Sequence, residues 1–454
     1  MSQVGPPSES SSGAGTPLDS AVQRTRSFGG LFSNVTLWGE CHLGCPVWSL
    51  SVSKSGILCG CDDGSIVLLN SNMGCCFRMQ EAHGSAITHI AWAEDGLHFL
   101  TVGTDLVVKV WSCCGSEAEC VFTMHQIFPV ISACFHPLAY PASSPGVQLS
   151  PRSTSNNPPS SAGARHHVCT VFVLTSDRKI GVWTDGMVEM YESISAKDSM
   201  PMSMSAHVRP PVFLSSSSSL LLGKRSPEIF LALGTKNGDL LLYSFCSESG
   251  IGFEASVSCR NKRGKFSEGS PGVGVHWVSG SELVLSTQDN RVRLIKISAP
   301  QKKKISMHVV KKFKGHKSSG GDVPLTAFVH SAPFARSVLM VGSECGRVYV
   351  WPLDPPPEPS ALDPSGNQKS KSIISSATPS TNPAPSLLKK FLHSIKPSRA
   401  KTSTDTWLAV GAPDKLTAVV PAPWVPHQGR IAGASCAVTA SLDGSVKLFL
   451  AEYS

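Results

Sequence analysis

The chain has 454 residues, of which 41% are hydrophobic and 16% charged, with a formal net charge of +8. This length fits two or three ordinary domains or one large all-β domain. No stretch approaches about 18 consecutive apolar residues, and the opening MSQVGPPSESSSGAG has neither a basic leader nor an apolar core, so we expect neither membrane spanning nor secretion. The 15 cysteines are scattered singly or as adjacent pairs, which is typical of free thiols in a reducing compartment.

The first 31 residues are predicted to form a disordered tail. The next stretch, FSNVTLW at residues 32–38, alternates apolar and polar side chains as a strand does. Only five residues follow Phe449, where the last strand pattern ends, and they are too few for a further strand and its turn. We therefore expect 32–38 to pair with Ser445–Leu450 and to close the structure, so that no sheet edge stays open there.

A repeated unit runs along the rest of the chain. In six segments an acidic or amide residue stands six positions before a large apolar or aromatic residue: Asp63 with Leu69, Asp105 with Trp111, Asp177 with Trp183, Asn237 with Tyr243, Asp289 with Ile295, and Asp443 with Phe449. A seventh segment keeps Trp351 but has Cys345 in place of the acid. Alternating strands and polar turns separate the copies, which predicts a four-stranded antiparallel unit for each.

One such sheet has two apolar faces and cannot stand alone, whereas seven sheets around an axis bury one another. The sequence therefore predicts an all-β fold, a seven-bladed β-propeller spanning residues 32–454. In each blade we expect the acid to accept hydrogen bonds in the turn between the second and third strands, and the aromatic residue to pack against a neighbouring blade. The structural blade residues are then His83, Thr101, Asp105, Trp111, Asp177, Trp183, Asp289, His316, Trp351 and Asp443.

Two segments interrupt the period. Residues 141–166 and 352–407 are rich in Pro, Ser and Thr. Such segments are too polar and too often broken by Pro to pack into a core, so both are predicted to be disordered insertions.

The second copy, AHGSAITHIAWAEDGLHFLTVGTDLVVKVW at 82–111, resembles the WD-repeat family through His83, Thr101, Asp105 and Trp111. Further segments, among them MHQIFPVISACFHP, SCRNKRGKF and KKFKGHKSS, resemble in their sequence and their order the propeller of the rabphilin-type, Rab-binding WD-repeat proteins. In the animal members a long segment ahead of the propeller binds a Rab GTPase of recycling endosomes. No residue here matches that segment, so the resemblance implies the propeller and leaves Rab binding open.

Motifs for catalysis were sought and are absent: the sequence has no phosphate-binding loop, no HExxH helix and no serine nucleophile elbow. Cys41, Cys45, Cys59 and Cys61 are a conceivable zinc set, but Cys59 and Cys61 fit one face of a strand and the paired Cys-x-x-Cys spacing is missing. Acids that recur once per blade are interpreted as structural. We expect no enzyme activity, no cofactor and no metal.

Basic segments are the candidate partner surfaces. Arg260, Lys262, Arg263 and Lys265 lie in CRNKRGK, and KKK at 302–304 and KKFK at 311–314 follow. An acidic protein, a phosphoinositide or RNA could bind such a surface, and a solvated loop is the alternative. Nucleic acid ranks last, because aromatic residues are not interleaved with these basic runs as a stacking platform requires.

A third basic segment, LLKKFLHSIKPSRAK at 387–401, lies inside the long insertion. As a helix it would gather apolar side chains, including Phe391 and Leu392, on one face, with Lys389 and Lys390 beside them. It could fold on an anionic membrane, on a partner or on the propeller itself, or stay disordered.

The sequence favours a non-catalytic scaffold that presents the surfaces of a monomeric ring to other proteins. The alternative is a peripheral membrane-trafficking effector of the type that binds a Rab GTPase, with weak contact to anionic membrane. We expect a cytoplasmic protein, with the surface of endomembranes and the nucleus as further locations.

Overall fold

A computed structural model describes residues 24–25, 32–140, 169–195, 198–210, 228–261, 268–298, 304–316, 327–330, 338–344, 346–353, 405–408, 415–422 and 434–453. The regular elements of these residues are all β-strands, which we number in chain order. This part of the chain contains no helix that is long and apolar enough to cross a membrane.

The first two strands are β1 (Arg24–Thr25) and β2 (Phe32–His42). Sheet 1 follows with β3 (Val47–Ser53), β4 (Gly56–Cys61), β5 (Ile66–Leu69) and β6 (Cys75–Met79). Sheet 2 contains β7 (Ile87–Trp92), β8 (His98–Gly103), β9 (Val107–Cys114) and β10 (Glu117–His125). Sheet 3 contains β11 (Val130–Phe135), β12 (Thr170–Thr175), β13 (Lys179–Thr184) and β14 (Met187–Ser193).

Sheet 4 contains β15 (Pro201–Val208), β16 (Ile229–Thr235), β17 (Asp239–Cys246) and β18 (Gly250–Ser258). Sheet 5 contains β19 (Gly272–Ser279), β20 (Glu282–Thr287), β21 (Arg291–Ser298) and β22 (Ser306–Lys314). Sheet 6 contains β23 (Ala327–His330), β24 (Val338–Gly342), β25 (Arg347–Pro352) and β26 (Asp405–Leu408). The last strands are β27 (Leu416–Ala422), β28 (Ala434–Ser441) and β29 (Ser445–Tyr453).

The sheets form a ring. Six sheets have four antiparallel strands in chain order, and the seventh has the order β27-β28-β29-β2-β1. Seven clusters of buried apolar side chains each lie between two neighbouring sheets, including one shared by sheets 7 and 1 and one shared by sheets 1 and 2. Each sheet therefore buries both faces against its neighbours, as the apolar pattern of both faces requires. The fold is a β-propeller.

The seventh sheet joins the two ends of the described chain. Strand β2 pairs antiparallel with β29, in a register that sets Thr36 opposite Leu450 and Glu40 opposite Lys447. Val35 is fully buried in the cluster shared by sheets 6 and 7. Strand β2 thus covers the edge of β29, but its register differs from the predicted one: residues 32–37 pair with 449–453, and residues 39–42 pair with 445–448.

The described strands depart from the predicted organisation in three places. The sequence predicted seven four-stranded blades; among the described residues six sheets have four strands, and β1 adds a fifth strand to the seventh sheet. Strand β1 also lies within the predicted tail 1–31. Strand β26 and the last residue of β25 lie within the predicted insertion 352–407. Two- and four-residue strands are too short to show alternation, so their pairing is decided by the partner strand. Residues 141–166 lie outside the described residues, and so does the rest of both other ranges apart from Leu353.

The first strands of the sheets surround a cavity of about 370 Å³, lined by residues from β3, β7, β11, β15, β19 and β27. His89 and His276 are among its lining residues. Burial, followed by the charge of the neighbouring His89, lowers the pKa of His276 to about 4. Burial also lowers the pKa of His89, so both imidazoles are neutral near pH 7.

Candidate functional site

The repeated acids occupy one kind of position. Asp63, Asp105, Asp177, Asp289 and Asp443 each lie in the turn between the second and third strands of their sheets. Each carboxylate accepts hydrogen bonds from its own turn or from the strands beside it. The pKa of each is lowered, since these hydrogen bonds and nearby cations outweigh the opposing effect of burial. The geometry is that of turn stabilisation.

In sheet 2 the turn acid ends a chain of hydrogen bonds. The Trp111 indole donates to Thr101 Oγ1 at 2.9 Å, and Thr101 Oγ1 lies 2.7 Å from His83 Nε2. Because a carboxylate can only accept, His83 Nδ1 donates to Asp105 at 3.0 Å, and in the neutral ring Nε2 is then an acceptor, to which the Thr101 hydroxyl donates. Burial lowers the pKa of His83 despite Asp105, which favours the neutral ring that this chain of donors requires.

Sheet 5 uses different side chains around the same acid position. Arg293 is fully buried, and its Nη2 lies 2.8 Å from Asp289 Oδ2. Asn261 Nδ2 donates to the same carboxylate at 2.7 Å, and Thr287 donates to its other oxygen. Asn261 thus takes the place of the histidine, and a buried ion pair is added. Neither Asn261 nor Arg293 was among the sequence-assigned blade residues.

The sequence did contain a signal for Arg293. A Lys or Arg stands four positions after the acid in three copies, at Lys109, Arg293 and Lys447. Lys109 Nζ donates to the Ala82 carbonyl at 2.6 Å, and Lys447 Nζ lies 3.1 Å from Glu40 Oε1, across the pairing of β29 with β2. The spacing therefore marks a cation that ties its strand to a neighbouring segment.

The remaining assigned blade residues are placed as follows. Trp111, Trp183 and Trp351 are each buried in the cluster shared with the preceding sheet. His316 is buried beside Trp351, with a ring separation of 6.0 Å, and burial lowers its pKa to about 4. Cys345, at the acid position of that copy, lies outside the described residues.

The described residues include only part of the predicted basic surface. Arg260 lies 2.6 Å from Asp239, so its charge is compensated within sheet 4. Lys262, Arg263 and Lys265 lie outside the described residues, as do Lys389, Lys390, Phe391 and Leu392. The KKFK run forms the end of β22, the outer strand of sheet 5.

Strand β22 places like charges opposite each other. In its register with β21, Arg291 faces Lys314 and Arg293 faces Lys312. Asp289 compensates the buried Arg293, whereas Lys312 and Lys314 are exposed. Burial, followed by the charges of Arg293, Arg291 and Lys314, lowers the pKa of Lys312. Like charges directly opposite on a sheet destabilise it, so this edge carries an excess of positive charge that an anion would offset.

Apolar side chains are exposed on two neighbouring outer strands. Met187, Val188 and Tyr191 of β14 and Phe253 of β18 are exposed by 73%, 43%, 51% and 50%. Met190 of β14 and Ile251 of β18 pack against the same cluster of buried apolar side chains, so the two strands adjoin. Exposed apolar groups of this kind occur at protein-binding surfaces.

Two thiols and a carboxylate meet where sheet 7 joins sheet 1. Cys45 Sγ, Cys61 Sγ and a carboxylate oxygen of Asp63 lie within 4.8 Å of one another. Arg78 Nη2 lies 3.0 Å from Asp63 Oδ2 and 3.5 Å from Cys45 Sγ, so a guanidinium supplies the positive charge beside this group. Of the conceivable zinc set, Cys45 and Cys61 come together with Asp63, while Cys59 is buried among apolar side chains.

No family model matches this chain, and no curated protein matches it. The fold itself is consistent with a WD-repeat type of propeller. The supporting features are the His83–Asp105 hydrogen bond, the hydrogen bond between Thr101 and His83, and the ring of antiparallel sheets.

Proposed function

We propose that this protein is a non-catalytic scaffold that binds other proteins, and that the outer strand of sheet 5 receives an acidic segment of a partner. The observation that carries the proposal is the pairing of Arg291 with Lys314 and of Arg293 with Lys312. β-Propellers commonly serve as interaction platforms, because a ring of varied sheets presents many surfaces.

The geometry of strand β22 supports an extended partner. It is the last strand in the order β19-β20-β21-β22, so within its sheet it has a neighbour on one side only. Lys312 and Lys314 are exposed at its end, two residues apart, and alternate residues of a strand share a face. An acidic strand laid along this edge would gain backbone hydrogen bonds and meet these two cations.

The repeated acids support the non-catalytic part of the proposal. Asp105, Asp289 and Asp443 are held by turn amides, hydroxyls or basic side chains of their own sheets. A general acid or base must reach a substrate, whereas these carboxylates already accept hydrogen bonds from their own turns and neighbouring side chains.

Binding of a labelled peptide of ten glutamates to the full chain tests the proposal. We expect the double variant Lys312→Glu/Lys314→Glu to weaken binding roughly tenfold or more at low salt, through lost attraction and new repulsion, and added salt to weaken binding to the wild type. The matched control is Lys54→Glu/Lys236→Glu, which reverses two exposed lysines in other sheets. Equal loss in both variants would show that only net charge matters and would contradict a site on β22.

The resemblance to rabphilin-type propellers supports a second proposal, that this protein is a membrane-trafficking effector. The amphipathic segment predicted at 387–401, with Phe391 and Leu392, would insert shallowly into an anionic membrane surface. We expect the full chain to sediment with anionic vesicles and not with neutral ones, and Phe391→Ser/Leu392→Ser to reduce that binding. Binding to Rab GTPases in the GTP-bound state and not in the GDP-bound state would favour this proposal, and absence of both interactions would remove its support.

A further inference from the structure

The Cys45 and Cys61 thiols are arranged as a pair. Their sulfur atoms lie within 4.8 Å of each other, and Val47, two residues after Cys45, is the strand partner of Cys61. The Asp62 amide donates to the Pro46 carbonyl at 2.9 Å and fixes the two segments side by side. The two sulfurs therefore have to approach by less than about 3 Å to reach the roughly 2.05 Å of a disulfide.

The two thiols have different surroundings. Cys45 is partly exposed, and Arg78 Nη2 donates to its sulfur at 3.5 Å. Arg78 is itself fixed, because its Nη1 donates to the Leu43 carbonyl at 2.8 Å and its Nη2 contacts Asp63. Cys61 is fully buried, and burial raises its pKa to about 12. An oxidant from solvent therefore meets Cys45 before it meets Cys61.

We propose that Cys45 and Cys61 form a reversible redox site, in which Cys45 reacts with a peroxide and Cys61 resolves the product to a disulfide. This inference does not depend on the proposed scaffold function.

The reaction balances with hydrogen peroxide as the oxidant. The Cys45 thiolate attacks one peroxide oxygen, so that an S–O bond forms, the O–O bond breaks and hydroxide leaves as water after taking a proton. The Cys61 sulfur then loses its proton and attacks the Cys45 sulfur, so that the S–S bond forms and the S–O bond breaks with release of a second water. Two thiols and one peroxide thus give one disulfide and two waters, and a dithiol reductant reverses the change.

The position of the pair gives the disulfide a structural effect. Cys45 lies in the short connection between the closing strand β2 and β3, and the Leu43 amide in that connection donates to the Gly444 carbonyl of sheet 7 at 3.0 Å. Cys61 ends β4 in sheet 1. A covalent link between them fastens the segment that carries the closing strand to sheet 1, so oxidation is expected to raise the melting temperature.

The test treats the reduced full chain with hydrogen peroxide and maps disulfides by mass spectrometry without reduction. We expect a Cys45–Cys61 peptide pair, a mass loss of about 2 Da and reversal by dithiothreitol. In Cys61→Ser we expect a sulfenic acid on Cys45 that dimedone traps, and in Cys45→Ser a Cys61 that stays reduced. Cys114→Ser, which removes an exposed thiol elsewhere, is the control and keeps the disulfide.

Two results would overturn the proposal. One is a wild-type chain in which peroxide oxidises exposed thiols such as Cys75 or Cys120 while Cys45 and Cys61 remain reduced; this result does not depend on any variant folding. The other is Zn²⁺ that protects both thiols from alkylation until a chelator removes it, which would assign the group to metal binding instead.

Discussion

The Asp105 carboxylate accepts hydrogen bonds from three donors, namely His83 Nδ1 and the amides of Gly84 and Val107. Substitution Asp105→Ala leaves these donors without their acceptor. We expect the free energy of unfolding to fall by roughly 1–3 kcal/mol in urea titrations. Asp105→Asn keeps an acceptor oxygen and is expected to lose less. An unchanged unfolding midpoint in Asp105→Ala would contradict the turn role.

Arg293 and Asp289 form the most buried ion pair in the described structure, with both side chains only 1% exposed. Removal of one partner leaves a buried charge without compensation, so we expect Arg293→Met to cost about 3–5 kcal/mol of unfolding free energy. The double variant Arg293→Met/Asp289→Leu removes both charges and is expected to cost less than the sum of the single variants. A strictly additive double-mutant cycle would show that the two charges do not stabilise each other.

For single residues, the sequence predicted the roles that recur in several copies, and it did not predict the roles that occur in one sheet only. The spacing from Asp105 to Trp111 identified a unit, and the unit located the turn acids. Asn261 and Arg293 were missed because their roles arise from packing in one sheet: an amide replaces His83, and a guanidinium fills the buried space beside Asp289. The proximity of Cys45, Cys61 and Arg78 depends on strands β4 and β6 and on the connection before β3, which only the fold brings together.

At the scale of elements, the closing strand β2 has the clearest consequence. It covers the edge of β29, and its Val35 is fully buried in the cluster between sheets 6 and 7. Deletion of residues 1–38 removes β1 and the first part of β2, so we expect the melting temperature to fall by several degrees, since ladder hydrogen bonds and apolar burial are lost together.

The matched control for this deletion is removal of residues 1–23, which leaves β1 and β2 intact. We expect that shorter deletion to melt like the full chain. Equal melting of all three proteins would mean that β2 contributes nothing to stability.

The elements also show the limit of pattern reading. The alternation in FSNVTLW was visible because seven residues suffice for a period of two, and the structure extends the strand to His42. The four residues of β26 follow a long Pro- and Ser-rich stretch, and their strand conformation comes from pairing with β25. Local sequence does not contain that information, because the paired residues lie between 55 and 61 positions away along the chain.

For the whole molecule, buried histidines predict how stability depends on pH. Burial lowers the pKa values of His136, His276 and His316 to about 4, below the ordinary value of about 6.5. The unfolded chain therefore binds protons between these values while the folded chain does not, so stability is complete above about pH 6.5 and is lost progressively as the pH falls toward 4. The turn acids, whose pKa values are lowered below 3.8, add a further loss at more acidic pH.

Urea unfolding at pH 7.5, 6, 5 and 4.5 measures this dependence, and we expect the midpoint to fall steadily below pH 6.5. His276→Gln removes one titrating ring from the wall of the central cavity and is expected to flatten the slope. A midpoint that stays constant from pH 7.5 to 4.5 would contradict neutral buried histidines.

The most direct test of the account is whether the two ends of the chain meet in the register that closes the ring, since every surface proposed above belongs to a closed propeller. Glu40 and Lys447 face each other across β2 and β29, with Lys447 Nζ 3.1 Å from Glu40 Oε1. Glu40→Cys/Lys447→Cys is expected to form a disulfide between these positions under mild oxidation, detected by peptide mapping. Glu40→Cys/Glu452→Cys shifts one thiol five residues, or about 16 Å, along the strand and is expected to form none. Equal cross-linking of both variants, or cross-linking of the shifted pair alone, would contradict closure by β2.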